Sequence, residues 1–465
     1  AFREDVAKRY EAYGWQVIKV EDGNDVEKIS QAIVAAKADL MRPSIIIVRT
    51  EIGFGSPAKQ GKASAHGEPL GELELAATKE NLGFNYEPFT VPMEVLENAD
   101  KLIAEGEKKE QAWHDIFQKY QAKYPELADE LNQWYSKEYK EEILNNEEFW
   151  SFEKPMATRE ASGLLINRLS KLLPNLIGGS ADLAPSNKTH MNIHSDFSAD
   201  NKGGANLHFG VREHAMAAIG NGIKLHGGLR IFVSTFFVFT DYMKGAMRLS
   251  SIMKLPITYV LTHDSIGVGE DGPTHEPIEQ LAGLRSIPNM TVFRPADAKE
   301  TAAGWFLAAT KEDGPVSLIL TRQTLPLYEE TGRDSLKGAY VLLESKKAEP
   351  DIILMASGSE VELIMKAGKI LSEEGIDVRV VSFPSFEIFE KQSKAYKESI
   401  FPKSVRKRLA VEAGASFGWH KYVGLDGDVV AIDHFGASGK PAMLFEAFGF
   451  TVENVLEKAR KVLVG

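Results

Sequence analysis

Short β-branched runs, each followed within a few residues by a helical pattern, recur along most of this chain. They lie at residues 44–49 (SIIIVR), 230–235, 257–262, 316–321, 351–355, 378–381, 408–412 and 429–432. A run such as SIIIVR, with no polar alternation, fits a strand buried on both faces. Between the runs lie apolar residues at helical spacing. Residues 25–38 carry Val26, Ile29, Ile33 and Val34, with Asn24 or Asp25 as cap. Alternation on this scale predicts an α/β fold: three-layer α/β/α domains with mainly parallel sheets covered by helices. At roughly 150 residues per domain, 465 residues suggest about three.

Two breaks divide the pattern. Residues 91–146 are charged, aromatic and poor in glycine, which predicts long surface helices; the mixed runs at 107–110 (EKKE) and 137–142 (KEYKEE) read as solvated faces. A polar, acidic stretch near 325–337 marks a second linker. The predicted domains are residues 1–125, 126–334 and 335–465.

Charge and composition narrow the function. The 54 basic and 66 acidic residues leave a net charge of −12, which argues against nucleic acid or an anionic membrane as partner. Any anion site must be a local basic cluster. With no cysteine, disulfides, thiolate–zinc and iron–sulfur sites and a cysteine nucleophile are excluded. No 18-residue apolar run predicts a transmembrane helix, and the first residues lack a secretory h-region. The chain has no initiator Met and opens inside an amphipathic pattern (Val6, Tyr10, Tyr13), so a truncated or processed chain is expected.

The densest group of reactive side chains is residues 261–280, LTHDSIGVGEDGPTHEPIEQ. A strand runs into a loop holding His263, Asp264, Glu270, Asp271 and His275 between glycines. Ligands in α/β sheets sit beyond the carboxyl ends of strands, so this loop reads as a binding or catalytic element. A polar turn with capping acids is the plainer reading. A metal site fits less well, because the histidines lack the i, i+4 spacing of a helical ligand pair. In LHFGVREHAM (residues 207–216), Glu213 lies in the first turn of a helix. It complements the helix dipole there, or, if buried, trades a proton with a ring nitrogen. Phe236, Phe239 and Tyr242 recur every third residue, as a core stripe or as a stacking platform for a flat heterocycle. Arg159, GGSADLAPSN (residues 178–187) and Thr321-Arg322-Gln323 are candidates for an anion pocket. His66 is a lone loop histidine. Residues 53–71, which contain it, read as a mobile active-site or anion loop. No P-loop, nucleophile elbow or dinucleotide fingerprint is present.

Together these segments resemble transketolase, a thiamine-diphosphate enzyme. GGSADLAPSN, FGVRE, THDSIGVGEDGPTHEP, LTRQ, RVVSFPS and FGFTVENV follow the family's order across nearly the whole chain, and GFGSP and AHGEPLG resemble the end of its N-terminal domain. The resemblance implies a cytoplasmic homodimer that transfers a two-carbon ketol unit from a ketose phosphate to an aldose phosphate. The cofactor would lie between subunits. Residue by residue, it implies that Glu213 bonds the aminopyrimidine and that Phe236, Phe239 and Tyr242 wall its pocket. Asp182 lies near the cofactor. Asp271 and His275 hold donor hydroxyls, His275 and His66 flank the chemistry, and Arg159, Ser186, His263 and Arg322 clamp the sugar phosphate.

The chain departs from the pattern in two places. The family's Gly-Asp-Gly motif, which with a later Asn holds Mg²⁺ (or Ca²⁺) and the diphosphate, is not found; EDGN at residues 21–24 lies after that region. The remnant at residues 1–125 is therefore expected to lack the metal ligands and the chain alone to have little activity. His214 stands where relatives often carry an aromatic residue. Rival readings are dihydroxyacetone synthase, phosphoketolase, deoxyxylulose phosphate synthase or a non-catalytic assembly subunit.

Overall fold

The computed structural model describes residues 2–135 and 139–465. The start of the 137–142 charge run therefore lies outside the described residues. Two compact units divide the chain, one ending at Lys119 and the other beginning at Tyr120.

In the first unit, strands β1 (Gln16–Val20) and β2 (Ser44–Val48) pair in parallel, Gln16 opposite Ser44 and Val20 opposite Val48. The helix Val26–Ala38 connects them, and its N-cap is Asp25, whose carboxylate accepts from Lys28 N at 3.0 Å. The sequence predicts β2 buried on both faces; all five of its residues are only half-buried. The reason is local: among the described residues this sheet has two strands, too few to enclose either. Asp22 accepts from Asn24 N at 2.9 Å, so the EDGN segment is a turn feeding the helix cap. Residues 53–71 are turns around the short 3₁₀ segment Ala63–Ala65. They are tied down: Glu74 accepts from Ser56 Oγ and from Ala58 N. The predicted surface helices appear as Met93–Lys123 and Pro125–Tyr135.

The second unit holds two sheets. Strands β3 (Leu176–Ser180), β4 (Asn206–His208), β5 (Arg230–Phe236), β6 (Thr258–Thr262), β7 (Thr291–Phe293) and β8 (Val316–Leu320) form one sheet in the order β4-β3-β5-β6-β8-β7, and every pairing is parallel. Its central strands β6 and β8 are buried throughout, as their uninterrupted apolar runs require. Strands β9 (Tyr340–Leu343), β10 (Ile352–Ala356), β11 (Val378–Ser382), β12 (Arg408–Val411) and β13 (Asp428–Val430) form the other sheet, β13-β12-β10-β11-β9; β9 is its antiparallel edge. The short strands β4, β7 and β9 escape the sequence reading because three or four residues show no periodicity.

Buried ions join the two sheets' surroundings. Arg294 is wholly buried. Its Nε donates to Asp264 at 2.9 Å and its Nη1 to Ser357 O at 2.8 Å and to Glu360. Beside it, Arg285 makes a bidentate pair with Glu412 at 2.7 and 2.9 Å, and Trp419 Nε1 donates to the same carboxylate at 2.7 Å. No helix among the described residues is long and apolar enough to cross a membrane.

Candidate active site

The sheet's winding locates the site. From β3 the chain moves outward to β4, then returns past β3 to β5 on its other side. A crevice opens beyond the carboxyl ends where the winding reverses. Asp182 and Ser186 follow β3, Glu213 follows β4, Phe236 ends β5, His263 follows β6 and Arg322 follows β8. Residues scattered over some 140 positions thus emerge at one edge of one sheet.

Aromatic rings form a row there. Phe236 and Phe239 stack 5.8 Å apart at 12°, Phe239 lies 6.0 Å from Tyr242, His263 covers Phe236 at 3.8 Å, and the edge of His275 meets Phe239 at 5.4 Å. This is not a core stripe. Phe237 takes the core position at 0% exposure, while Tyr242 is 67% exposed. The three-residue spacing arises because the chain passes from strand through a 3₁₀ turn, Phe237–Phe239, into the helix Thr240–Ile252.

Glu213 opens the helix Glu213–His226 and is 9% exposed. Among the described residues no hydrogen bond or ion pair engages its carboxylate, so both oxygens are left for a ligand. Its helix packs along Thr240–Ile252, which carries Tyr242. His214, the next residue, is exposed, and its ring approaches Gly245 on that second helix.

His263 is buried and adopts φ of +63°. Its tautomer follows from a relay. Asn187 Nδ2 donates to Ser234 Oγ at 2.8 Å, and Ser234 Oγ to Val260 O at 2.7 Å. Asn187 Oδ1 therefore accepts from Thr262 Oγ1 at 2.7 Å, and Thr262 in turn accepts from His263 Nδ1–H at 2.8 Å. Nε2 carries no proton and accepts from Arg159 Nη1 at 3.4 Å. Burial, then the charges of Arg159, Arg322 and His275, push the imidazole down to about 3. At neutral pH it is a neutral acceptor. Sequence reasoning misses the relay through Thr262, Asn187 and Ser234: Thr262 and Ser234 are polar residues inside strands, and Asn187 closes the GGSADLAPSN segment without any local sign of its partners.

The anion cradle is asymmetric. Arg159 Nη1 donates to the Ser186 carbonyl at 2.9 Å, so Ser186 contributes its backbone to this contact. Arg322 is exposed and donates to Val268 O at 2.8 Å. Burial and then the like charge of Arg322 hold Arg159 below its ordinary value. Among the described residues neither arginine has an ion pair. Two uncompensated guanidiniums beside a neutral histidine suit a phosphate. Asp182 is exposed with φ of +60°, and Asp271 is exposed on the loop that ends at His275. His275 Nδ1 sits 2.9 Å from Thr274 Oγ1. His66 lies in the first unit, exposed after the 3₁₀ turn, its N–H donating to Ala63 O at 3.0 Å.

Comparison with known proteins identifies the family. Residues 1–139 match the thiamine diphosphate binding domain of transketolase, 154–327 its pyrimidine binding domain and 338–451 the transketolase-like C-terminal domain. The transketolase of Bacillus subtilis is 49% identical over all of this chain, which spans 70% of that protein. The chain belongs to the transketolase family. The Streptococcus pyogenes transketolase is 52% identical over 98% of this chain and 63% of its own length. Among solved structures, a transketolase variant from Pichia stipitis superposes with a TM-score of 0.92 at 40% identity, covering all of this chain and 69% of that one. The Pichia stipitis complex with sedoheptulose-7-phosphate gives 0.91, also at 40% identity. A split-gene transketolase described as an inactive β4 tetramer matches 66% of this chain at 25% identity and a TM-score of 0.53. Membership carries the family's thiamine-diphosphate-dependent transketolase activity.

Proposed function

We propose that Glu213, Phe236, Phe239 and Tyr242 hold the aminopyrimidine of thiamine diphosphate, and that Arg159, Arg322 and His263 hold the phosphate end of a phosphorylated sugar. The observation that carries this reading is Glu213: a buried carboxylate without a protein partner, at the head of a helix packed against the one that continues the aromatic row. The residues fit the cofactor. The rings offer flat faces, and the Glu213 carboxyl can share a proton with a ring nitrogen. When bound, thiamine diphosphate supplies the carbon nucleophile and the electron sink for ketol transfer. Glu213 holds the proton that the pyrimidine nitrogen must gain. Phe236 and Phe239 exclude water from one face. Arg159 and Arg322 fix the remote phosphate, His263 Nε2 accepts from the Arg159 guanidinium and so holds it in place, and Asp271 and His275 address the donor hydroxyls. Asp182 borders the cofactor end of the crevice.

No group of three carboxylates or imidazoles among the described residues could hold a metal ion. No residue is assigned to the Mg²⁺ or Ca²⁺ that the family resemblance implies, and no step is routed through it. We also assign the chain to a homodimer in the cytoplasm. The helices Glu213–His226 and Thr240–Ile252 expose Ile219, Leu225, Leu249 and Ile252, each about half accessible. An apolar face of this kind beside Glu213 fits a second copy. The test is Glu213→Gln in the cofactor-loaded enzyme. Deuterium exchange at the cofactor's reactive carbon should slow about 10²–10⁴-fold. Unchanged exchange would overturn the assignment.

A further inference from the structure

The loop bearing Asp271 and His275 rests on a second element, residues 436–441, which lies beyond the five-stranded sheet's last strand. Gly269 and Gly272 adopt φ of +88° and +74°. A Cβ on Gly269 would lie 3.0 Å from Pro441, and one on Gly272 would lie 3.2 Å from Ser438. Ser438 Oγ donates to Glu270 O at 2.7 Å. Behind the loop lies Glu276, next in sequence to His275 and 2% exposed. Neither of its carboxyl oxygens makes a hydrogen bond of good geometry; the N–H groups of Ala437 and Gly269 are the donors that face it. Oε2 is pressed against the backbone of Gly436, where a Cβ would come within 1.7 Å of it. Burial pushes this carboxyl up to about 7, against the weaker pull of the Ala437 and Gly269 N–H dipoles. Such an unsatisfied group in a native interior calls for an explanation.

We propose that Glu276 is a positioning residue: it seats the Asp271–His275 loop on residues 436–438 and thereby sets the fit of the donor sugar. The proposal rests on the reading that Asp271 and His275 hold donor hydroxyls. Gly436 has ordinary φ, so a methyl there acts only by pushing on Glu276. Glu276 is 2% exposed and lies behind the loop, so the push passes to the loop.

The test uses the cofactor-loaded enzyme with a ketose phosphate donor. Gly436→Ala should raise donor KM about tenfold or more, change kcat less than threefold and leave acceptor KM unchanged. Glu276→Gln, which keeps shape without the proton, should keep donor KM within threefold of the parent. Glu276→Ala should raise donor KM several-fold, and the double variant Glu276→Ala/Gly436→Ala should be no worse than Glu276→Ala alone. Hydrogen exchange of amides 270–276 should quicken in Glu276→Ala, a readout that needs no turnover. Multiplying KM effects in the double variant, an unchanged donor KM in Gly436→Ala, or unaltered exchange would overturn the proposal. Asp271→Ala and His275→Ala serve as separate controls. If they leave donor KM untouched, the underlying site reading fails instead.

Discussion

Replacing Arg294 with Met should expose how strongly buried charge ties the second unit together. Arg294 is fully buried between Asp264 and Glu360, which are themselves buried. Burial alone would favour loss of its proton, but Glu360, Asp264 and Glu412 outweigh this and hold the guanidinium above its ordinary value. Met fills similar volume but strands two carboxylates in a dry interior. Breaking a buried pair in this way costs about 3–5 kcal/mol. For a unit of about 350 residues the unfolding entropy is about 0.7 kcal/mol/K, so a loss near 4 kcal/mol lowers the midpoint by about 5–6 °C. The penalty depends on ionisation. As pH falls, the stranded carboxylates take up protons, and the deficit at pH 5 should be less than half that at pH 7.5. Adding Asp264→Asn and Glu360→Gln to Arg294→Met should restore much of the loss. The assay is thermal unfolding followed by circular dichroism at both pH values. A fall of under 1 °C at pH 7.5, or an equal fall at the two pH values, would refute the reasoning.

Other outcomes are expected. His263 stays neutral in the fold, while the unfolded imidazole gains a proton below about pH 6.5, so its contribution to stability is intact above that pH and declines as pH falls toward 3, by up to about 1.4 kcal/mol per unit. His263→Asn should flatten the acid limb of a midpoint-against-pH curve between pH 6.5 and 4.5. Thr262→Val removes the acceptor that fixes Nδ1–H; ¹⁵N spectra of the imidazole should change from one tautomer to a mixture. Arg322→Ala should raise KM for a phosphorylated donor about 10–150-fold, the worth of a charge-assisted contact, and scarcely alter KM for its unphosphorylated counterpart.

Much of the architecture is written in local pattern. The runs at 257–262 and 316–321 become β6 and β8 because uninterrupted apolar stretches are stable only between two helical layers. The site is legible where a strand run meets reactive residues directly, as at Thr262-His263 and Leu320–Arg322. What escapes is pairing at a distance. Nothing near Arg294 or Glu360 in sequence marks them as a buried pair, because the fold closes a separation of 66 positions to bring them together. Glu276 is one acid among several in the 261–280 segment, and only the fold shows that it is buried against Gly436. The relay behind His263 is hidden for the same reason, since Asn187 and Thr262 stand 75 positions apart.

The Arg294 junction bears on how such a chain can be divided. Asp264 and Arg294 come from one sheet's surroundings, Ser357 and Glu360 from the other's, and each half alone would present naked ions to solvent. Gene fission, domain grafting or a two-plasmid reconstitution with a cut between β8 and β9 would therefore sever this junction, and the two fragments would have to rebuild it on association.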